Sequence, residues 1–295
     1  MLDAFTDNRI ALDTGITVRV RQAGDGPPLL LLHGYPQTHL CWHKVAPGLV
    51  NAGYRVILPD LRGYGDSDKP ETTPDHAPYS KRAMAADQIA LMRVLGHERF
   101  AVAGHDRGGR VAHRLARDYP EAVTALAVLD IAPTLHMYRT TGEAFARAYY
   151  HWFFLIQPAP MPERLIAAEP ALYLASKLRA WSQGNDPAFP DEVRAEYLRC
   201  FSDPAAIHAS CEDYRAAATI DLEHDEADLD RKLPMPVLAL WGAKGLVGKL
   251  YDVPGIWRAH ADIVEGHALP CGHFLPEESP AETLAALTDF FARHR

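Results

Sequence analysis

Five short, continuously apolar segments recur along the chain, at 27–34 (PPLLLLHG), 54–59 (YRVILP), 100–104 (FAVAG), 126–131 (LAVLDI) and 237–242 (VLALWG). Runs of this length without polar alternation read as strands buried on both faces. Helix-compatible stretches at 81–95 and 109–119 lie between them, which gives a βαβ alternation and hence a parallel sheet covered on both sides. The fold class is therefore expected to be α/β. From 134 to 232 the strand signal disappears into helix formers and aromatics, broken by Pro158, Pro160, Pro162, Pro170, Pro187, Pro190 and Pro204. Proline ends or kinks a helix, so this stretch reads as a helical insertion. The strand pattern resumes at Met235. Residues 1–133 and 233–295 are expected to form one core domain, with 134–232 as a helical cap over its edge.

Composition narrows the partners. The 295 residues are 48% hydrophobic and 23% charged, which is ordinary globular usage. With 30 Lys and Arg against 38 Asp and Glu, the formal charge is −8. That balance argues against a general attraction to nucleic acid or to an anionic membrane, so an anionic ligand must be held by local charges. No apolar run approaches a membrane span, and residues 1–10 lack the basic-then-apolar order of a secretory signal. Cys41, Cys200, Cys211 and Cys271 are too scattered for a disulfide framework or a CxxC metal site, so a cytoplasmic location is expected. The histidines, His97, His113, His208 and His260 among them, show no HExxH spacing; no metal and no organic cofactor are expected.

The stretch 100–110 (FAVAGHDRGGR) carries the chemistry. An apolar strand runs into glycine-flanked Asp106 and then into a helical pattern, the form of a nucleophile elbow, in which a sharp turn lifts the central side chain above the sheet. The expected nucleophile is thus a carboxylate. Attack by a carboxylate on an acyl carbon would form an anhydride, whereas attack on a saturated carbon bearing a leaving group forms an ester that water can cleave. Halide displacement and epoxide opening both satisfy this. His273, shortly before a C-terminal helix, is the expected base, and Asp130, at the end of the strand LAVLD, is the expected acid that orients it. The segment after VLALWG has no Asp or Glu before Asp252, which favours Asp130. Backbone N–H groups of Tyr35 and Arg107 are expected to form an oxyanion hole. Arg107 and Arg110 flank the nucleophile and are expected to clamp a substrate carboxylate, the alternative being surface or salt-bridging arginines. Asp60, Asp66 and Asp68 are expected to shape a loop.

The motifs HGYPQT (33–38), PDLRGYGDSD (59–68), GHDRGG and the terminal GHF resemble the α/β-hydrolase superfamily over nearly the whole chain. Aspartate in the elbow points to its haloalkane dehalogenase, haloacetate dehalogenase and epoxide hydrolase branches. More narrowly, GHDRGGR, YHWFF (150–154), QPAP (157–160) and CEDYRA (211–216) are similar to fluoroacetate dehalogenases. The resemblance implies a small anionic 2-haloacid substrate, Arg107 and Arg110 on its carboxylate, and a halide site of His151, Trp152 and Tyr214. From spacing alone that trio reads as helix core rather than as a ligand cage. The resemblance also implies a small pocket bounded by Trp181, with His105 beside it, and a homodimer. A packing role for Trp181 is the alternative. An epoxide hydrolase would share Asp106 and His273 but protonate the epoxide oxygen from cap tyrosines, for which Tyr149, Tyr150, Tyr173 and Tyr197 are candidates. A non-catalytic ligand receptor on the same fold is a further alternative, which the set Asp106, Asp130 and His273 disfavours.

Overall fold

The computed structural model describes residues 1–294. An eight-stranded sheet among these residues is built from β1 (Thr6–Ala11), β2 (Thr17–Ala23), β3 (Pro28–Leu32), β4 (Arg55–Pro59), β5 (Phe100–His105), β6 (Val123–Leu129), β7 (Val237–Gly242) and β8 (Val264–Leu269), in the order β1-β2-β4-β3-β5-β6-β7-β8. From β4 to β8 every pairing is parallel, while β1 and β2 form a hairpin that joins antiparallel to β4. The central strands β3, β5 and β6 are buried along almost their whole length, as the continuous apolar runs require. The edges differ. Strand β1 is largely exposed and polar and β2 buries only alternate residues, so neither carries the apolar run by which the central strands are read.

The core helices are α1 (Ala46–Asn51), α2 (Lys81–Val94) and α3 (Arg107–Asp118). Between β6 and β7 the chain leaves the sheet and forms α4 (Thr134–Arg139), α5 (Glu143–Ala148), α6 (His151–Leu155), α7 (Met161–Ala168), α8 (Pro170–Trp181), α9 (Asp191–Phe201), α10 (Pro204–Ala217) and α11 (Ile220–Ala227). Prolines stand in the first turn of α7, α8 and α10, where the missing N–H costs nothing, so they start these short helices. The chain then returns through α12 (Leu246–Leu250), α13 (Val253–His260), α14 (Leu275–Glu278) and α15 (Pro280–Arg293). Helices α2 and α3 pack together, with α3 against β5 and β6. This places the ends of β3, β5 and β6 under the cap. No helix among the described residues is long and apolar enough to cross a membrane.

Candidate active site

Asp106 sits at the turn between β5 and α3 with φ 48° and ψ −116°, a backbone conformation that side-chain-bearing residues rarely adopt. The turn is tight because two glycines let chain segments meet. A Cβ on Gly104 would lie 2.3 Å from the Gly108 carbonyl oxygen, and one on Gly108 would lie 2.3 Å from that of His33. The elbow therefore brings the first turn of α3 against the end of β3, and the Tyr35 backbone N–H donates to Asp106 Oδ1 at 3.0 Å. Arg107 occupies the first position of α3, where helical N–H groups have no intrahelical acceptor. Both expected oxyanion donors thus belong to the two segments that meet at the nucleophile.

His273 Nε2 lies 3.7 Å from Asp106 Oδ2, and His273 Nδ1 lies 2.6 Å from Asp130 Oδ2. The other Asp130 oxygen accepts the Gly242 N–H at 2.9 Å, so the acid is held from β7. Burial disfavours the charged imidazole, but the hydrogen bond and charge of Asp130, with the charge of Asp106, outweigh it and raise the His273 pKa. Burial would likewise favour a neutral Asp106. The charges of His273, Arg110 and Arg107 reverse that and hold its pKa below the ordinary value, so the carboxylate is ionised.

Several supports of His273 are not marked by any sequence motif. Glu278 accepts the Gly272 N–H at 2.9 Å and the Phe274 N–H at 2.8 Å, gripping the loop on both sides of the histidine. The His273 N–H donates to the Trp181 carbonyl of the cap at 3.0 Å. His105 supports the same loop from below. It is fully buried, its Nε2 lies 2.8 Å from the His273 carbonyl oxygen, and its ring centroid is 4.6 Å from that of His273. Burial, then His273, pushes its pKa down to about 3. It is a neutral donor beneath the catalytic loop, and it does not join the cavity wall among the described residues.

Neither arginine is at the surface. Arg107 donates from Nε and Nη2 to the Asp213 carboxylate at 2.9 and 2.6 Å, which leaves Nη1 without a partner. Asp213 also receives Lys81 Nζ and, at 2.6 Å, the Tyr64 hydroxyl. Arg110 meets neutral acceptors: from Nη1 it donates to the Ala132 carbonyl at 3.0 Å and to Thr134 Oγ1 at 2.9 Å, from Nη2 it reaches Met137 Sδ at 3.2 Å, and its Nε is unpartnered. The unpartnered donor atoms of the two arginines are therefore Nη1 of Arg107 and Nε of Arg110. The two guanidinium groups stack on the other candidates, Arg107 Cζ 4.1 Å from the Tyr214 ring centroid and Arg110 Cζ 4.7 Å from that of Trp152. His151 and Tyr214 ring centroids are 5.5 Å apart, and those of Trp152 and Tyr214 are 6.3 Å apart. His151 Nδ1 and the Tyr214 hydroxyl have no partner. Burial first, then the nearby cations, keep His151 neutral, so it can offer one N–H.

A cavity of about 420 Å³ between cap and core has His273, Trp181, Tyr149, Lys177, Leu246 and Lys249 in its wall. Of the tyrosines weighed for epoxide chemistry, Tyr149 and Tyr150 line this cavity, with the Tyr149 ring 6.4 Å from His273. The Tyr197 hydroxyl is bonded to Glu277 at 2.9 Å. Tyr150 is half exposed, and both Tyr150 and Tyr173 pack against Lys177. Asp60 accepts the His39 N–H at 2.9 Å and the Asp66 N–H at 3.1 Å, a loop-shaping role. Among the described residues, Asp66, Glu196 and Cys200 bring three metal-ligand-type atoms within 4.8 Å of one another, but Arg19 and Arg199 already pair with Asp66 and Glu196.

Comparison with known proteins identifies the chain as a hydrolase of the α/β fold. A sequence profile of the α/β hydrolase fold matches residues 27–280. A fluoroacetate dehalogenase from a Burkholderia species is 46% identical over 296 residues, covering 100% of this chain and 96% of the relative. A soluble epoxide hydrolase from Corynebacterium sp. (strain C12) is 37% identical over 288 residues, covering 96% of each. Among solved structures, a putative α/β hydrolase from Nostoc sp PCC 7120 shares 57% identity and a TM-score of 0.97 over 99% of both chains. The chain belongs to the α/β-hydrolase superfamily and, within it, to the fluoroacetate dehalogenase family.

Proposed function

We propose that this hydrolase is a haloacetate dehalogenase acting on fluoroacetate, converting a 2-haloacetate and water to glycolate, halide and a proton. The observation that carries the reading is Arg110. It is a buried cation beside the nucleophile, with neutral partners and an unused N–H, and a substrate carboxylate would supply the missing countercharge. A neutral substrate would leave Arg110 dependent on the through-space charge of Asp106, which esterification removes.

In this scheme the substrate carboxylate takes the free N–H groups of Arg107 and Arg110. An Asp106 oxygen attacks the α-carbon, and the carbon–halogen pair leaves as halide toward the donors of His151, Trp152 and Tyr214. Fluoride in particular needs such donors, because its strong hydration makes departure into an apolar pocket costly. His273 then takes a proton from water as the water oxygen attacks the ester carbonyl carbon of Asp106. The Tyr35 and Arg107 N–H groups receive the charge that develops on the carbonyl oxygen. Collapse expels the glycolate oxygen, which recovers the proton from His273, and Asp106 keeps one oxygen from water.

The test is halide release from fluoroacetate and chloroacetate, run beside an epoxide hydrolysis assay. Both halides should appear, and Asp106→Ala should abolish the release. His273→Asn should accumulate enzyme heavier by one carboxymethyl group on intact mass analysis. Turnover of the epoxide with no halide from either acid would replace this reading by epoxide hydrolysis. That second reading is favoured by the Tyr149 ring in the cavity wall and by the 37% identical soluble epoxide hydrolase.

A further inference from the structure

Lys177 in α8 is only 3% exposed, lies in the wall of the cavity that reaches His273, and has no ion-pair or hydrogen-bond partner among the described residues. Its Nζ stands instead over aromatic faces, 3.8 Å from the ring centroid of Tyr150, 4.7 Å from that of Tyr173 and 5.8 Å from that of Trp181. Cation–π contacts hold an ammonium but do not cancel its charge. The rest of the wall is mostly neutral, with two further cations. Lys249 contributes a second ammonium, Arg147 is paired with Glu143 at 2.7 Å, and no carboxylate side chain lines the cavity among the described residues. In a chain of net charge −8, this is a local reversal of sign at the mouth of the site.

We propose that Lys177 is an anion subsite on the path between solvent and the nucleophile, holding a small monoanion, either the carboxylate of an arriving haloacid or the departing halide. This rests on the haloacid reading of the active site. The site is distinct from the arginine clamp, since neither Arg107 nor Arg110 lines this cavity among the described residues. Trp181 links Lys177 to the halide candidates, its ring centroid 5.8 Å from Lys177 Nζ and 4.6 Å from that of His151. Burial lowers the Lys177 pKa to about 8. The other titratable groups facing it are Tyr150, Tyr173 and His151, with Arg147, Lys249 and His273 around the cavity. Its charge is present below that pH and lost above it.

Two measurements test the subsite. In steady-state chloroacetate turnover, Lys177→Met should raise KM about tenfold with little change in kcat, by loss of the local attraction, and Lys177→Arg should restore it. The fall of kcat/KM above about pH 8 should vanish in Lys177→Met. Independently of turnover, reductive methylation of Lys177, read by peptide mass spectrometry, should slow when acetate or bromide is added, because a bound anion favours the unreactive ammonium. Protection by acetate marks the arriving carboxylate, and protection by bromide marks the departing halide. If neither anion protects Lys177, the subsite is overturned even where halide release is normal. A change in kcat alone would make Lys177 a packing residue and would also overturn it. Protection in an enzyme that releases no halide would keep the subsite and overturn the dehalogenase reading.

Discussion

Two arginines of one helix, three positions apart, end in opposite electrostatic states. Asp213 neutralises Arg107 and leaves its Nη1 without a partner, while Arg110 keeps its charge among neutral acceptors. Asp213 is therefore a positioning residue for the clamp, and it also serves Lys81 and Tyr64. Asp213→Asn should strand two buried cations and destabilise the fold by about 3–5 kcal/mol in urea melts, with KM for chloroacetate rising more than kcat falls. An unchanged melting midpoint would mean that the cations find another partner. The pH dependence of the base follows from similar bookkeeping of charge. In the free enzyme Asp130 and Asp106 both raise the His273 pKa, but esterification removes the Asp106 charge. The imidazole thus becomes easier to deprotonate at the moment it must act as a base. Hydrolysis of the preformed ester in single turnover should therefore rise with pH through a lower value than His273 shows when titrated by NMR in the free enzyme. Equal values would mean that Asp106 has no electrostatic hold on the base.

The element that concentrates the chemistry is the strand–turn–helix around Asp106, and its tolerance is set by backbone contact. Gly108→Ala places a methyl group against the carbonyls of His33 and Leu32, so α3 must retreat from β3. We expect a loss of about 3 kcal/mol in stability and loss of halide release, since the Tyr35 N–H would move away from Asp106. Retained activity would show that the turn can open without cost. This element was legible because its strand is buried on both faces and its glycines stand where the turn needs them. Strands β3, β4, β6 and β7 were legible for the first of those reasons. The hairpin β1–β2 was not, because an exposed edge is chosen for polarity and carries no continuous apolar run; β8 is interrupted by Glu265, Gly266 and His267 for the same reason. Sequence reading singled out candidates attached to the turn, to a strand end or to a family motif, and the fold brings Asp106, Asp130 and His273 together. Glu278, Asp213 and Lys177 act through contacts that only the packing of cap on core creates, and the bond from His105 to the His273 carbonyl likewise joins segments far apart in sequence.

At the scale of the molecule, the cap is seated on the core by polar links that surround the site. Trp181 accepts the His273 N–H, Asp213 grips Arg107 and Lys81, and a third link lies four residues beyond the base. There Glu277 Oε1 accepts the Tyr197 hydroxyl of the cap at 2.9 Å, and Oε2 meets the Gln37 side-chain amide. Lys44 Nζ joins the Ala188 and Glu277 carbonyls at 2.7 and 3.0 Å. Burial pushes the Glu277 carboxyl well above its ordinary pKa, and the bonds from Tyr197 and Gln37 offset this only in part. The folded protein therefore holds Glu277 protonated at pH values where the unfolded chain ionises it. Its contribution to stability is complete below the unfolded value, about 4.3, and is lost as pH rises toward the folded value. Glutamine keeps the size and hydrogen-bonding capacity of the neutral acid but has no proton to lose. Glu277→Gln should thus match the wild type in urea melts near pH 4 and become the more stable protein as pH rises, by at most about 1.4 kcal/mol per pH unit. A stability gap that stays constant between pH 5 and 8 would mean that the carboxyl is ionised in the folded state, with Lys44 then serving as its counter-ion across the seam between cap and core.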